Sequence, residues 1–279
     1  MSTGIDPTKL RLGLTTKLLG KHIIFFQSVD STNQYLKRLA EHGVEEGTVV
    51  LAETQKKGRG RLNRKWSSPE GGLYFSVLLK PQMQPKDATK LTLVFGLAVA
   101  EVLREDFSLP AELKWPNDVL IKGRKICGIL VEASMVNNDL RFIVAGIGVN
   151  VNLIPTLTFS EAIKDSATSI QNEIGSEVSI EDFFRRVLEK MEFEYNLMLN
   201  GKETQVLARW RSLASFLGNS IDFSFCGKRI HGVALDISSQ GELAVQLRNG
   251  NIVHFAFGEI ANLDTLSVEK QKTPSQPRA

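Results

Sequence analysis

"ELKWPNDVLIKGRKICGILVEASMVNNDLRFIVAGIGVNVN", residues 112–152, decides the fold of this chain. Four apolar runs, "ELKW", "VLI", "KICGILVEA" and "LRFIVAGIGVNVN", are separated by "PND", "KGR" and "VNND". Pro fixes φ, Gly tolerates positive φ, and Asn and Asp bond their own backbone, so these separators are turns. Strand-length runs joined by such turns predict an antiparallel meander.

Towards the N-terminus, "GGLYFSVLLKP" (71–81), "TVVLAETQ" (48–55) and "HIIFFQSV" (22–29) read as further strands. "STNQYLKRLAEHG" (31–43) reads as a helix, with Ser31 and Gln34 in a capping-box pattern and Gly43 as the stop. Leu91, Val94, Phe95, Ala98, Val102 and Leu103 fall at helical spacing and predict a helix over 87–106 capped by Asp87. Towards the C-terminus, Ser179 and Asp182 open a helix over about 179–200, and a shorter one follows over about 203–215. From Gly218 onward "SIDFSF", "KRIHGVALDI", "ELAVQLR" and "NIVHFAF" are short alternating strands joined by Gly and Asn turns, the size of a small β-barrel. The fold class is therefore α+β. The division expected is a lead-in over 1–20, a principal domain over 21–216, a barrel over 217–266 and a disordered polar tail over 267–279.

Composition narrows the function classes. The 34 Lys and Arg exceed the 31 Asp and Glu only enough for a net charge of +3, too weak a bias for a nucleic-acid or membrane coat. Two cysteines, Cys127 and Cys226, do not make a disulfide scaffold and suit a reducing, cytoplasmic setting. "LTLVFGLAVAEVL" (91–103) is too short for a bilayer and contains Glu101, so no membrane span is expected. The four histidines lie at 22, 42, 231 and 254 without metal-ligand spacing, and no G-x-S-x-G nucleophile elbow occurs.

Against that nearly neutral background, "KKGRGRLNRKW" (56–66) places six positive charges and two glycines in eleven positions. Asn63 stands where a dinucleotide fingerprint needs its third glycine, and the chain has no Walker-type G-x-x-x-x-G-K-[S/T]. What is left is a glycine-loosened turn with the guanidinium forks of Arg59, Arg61 and Arg64, suited to phosphate oxygens. A solvated basic turn or a nucleic-acid patch fits the same residues. Ser31 as a helix cap leaves room for ligand contact at the same helix N-terminus. Asp118, among Lys114, Arg124 and Lys125, either balances charge or holds a metal or substrate. "GIGVNVN" (146–152) reads as a strand in close contact with a neighbour.

Four segments in order, "STN" (31–33), "ETQKKGRGRLNRKW" (53–66), "KWPNDVLIKGRKICGILVE" (114–132) and "GIGVNVN" (146–152), resemble the biotin protein ligase family. The resemblance runs from about residue 22 into the C-terminal barrel. It implies a core sheet like that of class II aminoacyl-tRNA synthetases, mixed or antiparallel, followed by an SH3-like β-barrel. It also implies activation of biotin by ATP, with Mg²⁺, to biotinyl-5′-adenylate, then transfer to a lysine of a biotin carboxyl carrier protein belonging to acetyl-CoA carboxylase or a related carboxylase. On that resemblance Ser31, Thr32, Asn33 and Gln55 contact biotin, joined by Arg59, Gly60, Arg61 and Lys125. Lys125, Arg59 and Arg61 serve catalysis; Arg59, Arg61, Arg64, Trp66 and Asn150 hold the nucleotide; Asp118 holds Mg²⁺.

This resemblance gives the basic loop a purpose. A carboxylate must approach a triphosphate, and two like charges about 4 Å apart repel by roughly 4 kcal/mol at a surface-like dielectric. The loop should be mobile when empty, from its own like charges, and close as a lid over the adenylate. Only about twenty residues precede the first core strand, so a monofunctional ligase without a DNA-binding domain or specific DNA binding is expected, as monomer or homodimer. "GEIANLDT" (258–265) lacks the basic residue that some members place near adenine. Two competitors remain: a lipoyl or octanoyl transferase, which would lack the two basic motifs together, and a nucleic-acid-binding module, which would show basic and aromatic interleaving on the barrel.

Overall fold

The computed structural model describes residues 4–260, so the tail over 267–279 and most of "GEIANLDT" lie outside the described residues. The chain opens with β1 (Ile23–Val29), α1 (Thr32–Glu41), β2 (Val49–Gln55), β3 (Gly72–Leu79) and α2 (Lys90–Phe107). The meander follows as β4 (Ala111–Lys114), β5 (Asp118–Ile121), β6 (Arg124–Val136) and β7 (Asp139–Asn150). Three short helices, α3 (Pro155–Thr158), α4 (Glu161–Lys164) and α5 (Ile170–Ile174), lead to α6 (Ile180–Leu199) and α7 (Glu203–Ser212).

These strands form one seven-stranded sheet in the order β1-β2-β3-β7-β6-β5-β4. Every neighbouring pair is antiparallel except β1 and β2, which run parallel because α1 crosses between them. The predicted meander is present; the parallel pair and the three short helices over 155–174 were not predicted. α2 also begins later than expected. A turn over Pro85–Thr89 precedes it, and Asp87 inside that turn pairs with Lys90 at 3.1 Å instead of capping. Ser31 and Ser179 do cap, accepting from the amides of Gln34 (3.5 Å) and Asp182 (3.1 Å).

The two-residue period of a strand explains what each face carries. On β7, Ile143, Ala145, Ile147 and Val149 point into the main core beneath α2 and α6. Phe142 and Val144 point the other way, where they pack with Leu36, Ala40, Val50 and Leu78 under α1. The same face then continues with Gly146 and Gly148, where the apolar cover ends. That bare patch is where the cleft forms.

The last five strands make a separate antiparallel sheet: β8 (Ser220–Phe225), β9 (Lys228–Ile237), β10 (Leu243–Leu247), β11 (Ile252–Phe255) and β12 (Glu259–Ile260), ordered β11-β10-β9-β8-β12. Trp115, fully buried, donates its indole N–H to Gly241 O at 3.1 Å and ties this sheet to the site loop. Arg211 on α7 adds a second tie to Asp236 at 2.5 Å.

Candidate functional site

A cleft lies over the glycine patch, with the second sheet at its rim. Its floor is set by what glycine omits. A Cβ at Gly146 would sit 2.0 Å from Asn33 Oδ1, and one at Gly148 would sit 2.6 Å from Trp66 Nε1. Any side chain at either position would displace the residue above it. The close strand contact predicted from "GIGVNVN" is therefore real, and its partners are Asn33 and Trp66.

The N-terminus of α1 supplies one wall. The Thr32 amide donates to Gln55 Oε1 at 2.9 Å, and Gln55 Nε2 donates to Ser68 Oγ at 2.9 Å. Buried Ser76 donates to Asn33 Oδ1 at 2.6 Å, and Thr32 Oγ1 lies 2.8 Å from the same hydroxyl. The Asn33 amide nitrogen donates to Leu130 O at 3.2 Å and to Glu132 at 2.9 Å. Both ends of Asn33 are thus engaged by the protein. Ser31 only accepts in its capping role, which leaves its hydroxyl proton for a ligand.

The basic loop arches over this wall. Gly58 is needed for local packing, because a Cβ there would meet Trp66 O at 2.4 Å; at Gly60 the nearest atom would be 3.5 Å away. Four of the six loop cations are each drawn to a separate acceptor: Lys57 to Asp30 at 2.8 Å, Arg59 to Glu132 at 3.1 Å, Arg61 to Asn117 Oδ1 at 3.1 Å and Gly258 O at 3.2 Å, and Arg64 to Glu259. Burial pulls the Arg61 pKa down, with Asp118 and Glu259 opposing.

Opposite the loop, Lys125 Nζ lies 2.5 Å from Asp118 Oδ1 and 5.3 Å from the centre of the Trp66 ring. That is cation–π distance. The structure thus gathers Ser31, Thr32, Asn33, Gln55, Arg59, Gly60, Arg61, Arg64, Trp66, Asp118 and Lys125 around one cleft. Asn150 is not among the residues lining it. It is 3% exposed at the C-terminal end of the central strand β7, and its amide donates to Thr168 O at 2.9 Å. Residues missed from the sequence are Glu132, Asn117 and Glu259, which hold the three arginines, and Ser76 and Ser68, which hold the α1 end. Glu132 had a signal: it falls two and four residues beyond Leu130 and Gly128, on the same face of β6.

No group of three or more His, Cys, Asp or Glu side chains is placed to hold a metal among the described residues. A Mg²⁺ arriving on a nucleotide needs only one or two protein carboxylates, and Asp118 offers one at the cleft. No helix among the described residues is long and apolar enough to cross a membrane.

Comparison with known proteins follows the same lines. A profile of the Biotin/lipoate A/B protein ligase family matches residues 25–150. The chain is 32% identical over 247 residues to the bifunctional ligase/repressor BirA of Bacillus subtilis, covering 88% of this chain and 76% of that protein. It is 31% identical to the biotin–[acetyl-CoA-carboxylase] ligase of Mycobacterium tuberculosis, covering 84% of this chain and 86% of that one. Among solved structures, the biotin protein ligase of Aquifex aeolicus in complex with biotin and ATP is similar, with a TM-score of 0.74 and 34% identity, covering 86% of this chain and 98% of that one.

Proposed function

The chain belongs to the biotin protein ligase family, and we propose that it activates biotin with ATP and transfers the biotinyl group to a lysine of a biotin carboxyl carrier protein. The observation that carries this reading is the convergence on one cleft of a neutral hydrogen-bonding wall and six basic residues, Arg59, Arg61, Arg64, Lys65, Lys114 and Lys125. A uniform basic patch would suit any polyanion. A neutral donor–acceptor wall facing a cationic one suits a ligand with a ureido head and a carboxylate that must meet a triphosphate.

In the first step the biotin carboxylate oxygen attacks the α-phosphorus of ATP and pyrophosphate leaves, giving biotinyl-5′-adenylate. Ser31, Thr32 and Gln55 hold the ureido group, and Asn33, already engaged at both ends, fixes the wall they stand on. Lys125, between Asp118 and the Trp66 face, follows the charge that develops on the transferred oxygens as a compact ammonium. Arg59 and Arg61 exchange their protein acceptors for carboxylate and phosphate, and Arg64 lies where the nucleotide leaves the cleft. Asp118 would hold the Mg²⁺ that neutralises phosphate charge. In the second step the carrier lysine attacks the mixed anhydride and AMP leaves.

Several finer points belong to the same reading. The principal sheet is of the class II synthetase type, and the five-stranded sheet of β8–β12, within the barrel region expected over 217–266, is SH3-like. The protein works in the cytoplasm, as monomer or homodimer, and binds no specific DNA sequence. Purified protein given biotin, ATP and Mg²⁺ should release pyrophosphate and, with a biotin carboxyl carrier domain, produce a biotinylated lysine. Lipoate in place of biotin should give neither product. Release of pyrophosphate with lipoate alone would move the chain to the lipoyl branch.

A further inference from the structure

Lys125 owes its position to more than its strand. Its amide donates to Ser166 O at 2.8 Å and its carbonyl accepts from the Thr168 amide at 2.9 Å, so residues 166–168 run beside it as a short extra strand. That extra strand is not part of a sheet and needs its own anchor. Glu173 on α5 is the anchor. Its side chain is 2% exposed and accepts from the Thr168 hydroxyl at 2.5 Å, from Arg124 at 2.6 Å and from Lys122 at 3.1 Å. One carboxylate therefore clamps the extra strand on one side of Lys125 to the β5–β6 hairpin on the other.

The clamp holds a charge. Burial alone would push the Glu173 carboxyl up, but the Thr168 hydroxyl, Lys122 and Arg124 outweigh it and keep it below the ordinary carboxylate range. Removing it would take away the side-chain tie between residues 166–168 and the β5–β6 hairpin, leaving Asn150's bond to Thr168 O as a hold on that segment's backbone. Lys122 and Arg124, 65% and 38% exposed, would turn to water.

We propose that Glu173 is a positioning residue for the adenylation step, setting the aim of Lys125 through Thr168 and Arg124 without touching either substrate. The proposal rests on the biotin-activating reading above. Displacing a catalytic group by about an ångström costs on the order of a hundredfold in rate, whereas substrate contacts made elsewhere survive. On that reading biotin is held by Ser31, Thr32 and Gln55, whose own bonds do not involve Glu173.

The test is biotin-dependent pyrophosphate release by full-length Glu173→Ala and Glu173→Gln, with kcat, the KM for biotin and the thermal midpoint measured together. Glu173→Ala should lower kcat by about tenfold to a hundredfold with KM for biotin changed less than about threefold. Glu173→Gln keeps an oxygen for Thr168 and Arg124 and should fall between Glu173→Ala and the wild type. If Glu173→Ala does not melt cooperatively, Glu173→Gln carries the test with an expected loss of about threefold to tenfold in kcat. A kcat within twofold of wild type in the folded variant overturns the proposal, as does a loss expressed in KM. Absence of pyrophosphate release from the wild-type protein itself would count against the ligase reading instead.

Discussion

The two basic segments of this protein line the same cleft and are opposite in construction. The loop over 56–66 keeps backbone bonds at its start, from the Lys56 and Lys57 amides to Val29 and Asp30 O, and beyond them is tied to other elements by side-chain bonds, most of them partly open to water. It also carries Leu62 and Asn63 at positive φ, a conformation that costs roughly 1 kcal/mol or more in a non-glycine residue. The hairpin over 114–125 is held by sheet registry on both strands, by the 166–168 segment and by the buried Glu173 carboxylate. Exposed ion pairs are each worth about 0–1 kcal/mol, so the loop's anchors can be exchanged for a ligand's oxygens at little cost. The hairpin's cannot. One site thus places a yielding set of charges opposite an unyielding one.

Lys125→Ala attacks the unyielding side and should give the largest effect. Biotin-dependent pyrophosphate release should fall about 10²–10³-fold, while stability moves by no more than about 1 kcal/mol because Lys125 stands partly exposed at the cleft. Comparable loss of stability and of rate in a urea melt and a pyrophosphate assay would mean that the lysine is a structural post.

Gly146→Ala tests the floor shared by both segments. Its methyl group cannot coexist with Asn33 Oδ1, so about 1–3 kcal/mol of stability should be lost and the affinity for biotin, read by calorimetry, should drop with it. Stability lost with affinity intact would detach Asn33 from the biotin wall.

Arg61→Gly acts on the yielding side. It removes the bonds to Asn117 and Gly258 and should shorten adenylate retention several-fold more than it slows adenylate formation. Free adenylate would then label unrelated lysines. Hydrogen exchange over 56–65 should slow when an adenylate analogue binds, and over 118–128 it should not change. Equal exchange in both segments with and without ligand would erase the contrast.

The smallest effect belongs to pH. Glu173 is depressed in the folded protein, so its contribution to stability is complete above the unfolded value of about 4.5 and is lost as pH falls through the lower folded value. The melting difference between wild type and Glu173→Gln should shrink only below that pH. A difference that instead grows on acidification would have the wrong sign for a clamping carboxylate.

How much of this was legible in the sequence depends on how far apart the partners lie. Ser31 and Ser179 were readable as caps because the amide each accepts from is three residues away. The meander was readable because its turns are local. The parallel pairing of β1 with β2 had a strand–helix–strand signal that the alternation of apolar residues does not express. Glu259 and Glu173 had no signal, since nothing in "GEI" or "QNEIG" announces a guanidinium nearly two hundred or about fifty residues upstream. Asn150 shows what a motif alone does not place: it lies off the cleft lining, with its amide set against the Thr168 carbonyl.

The glycine floor has one more consequence. Gly146 and Gly148 have no rotamers, so this part of the wall cannot adapt to a bulkier acyl group by rearranging side chains. Broader substrate tolerance would have to come from trimming what stands above the floor, Asn33 or Trp66, since every substitution in the floor itself only subtracts space. Selection for new acyl donors would therefore enrich changes on α1 and in the basic loop and leave β7 untouched.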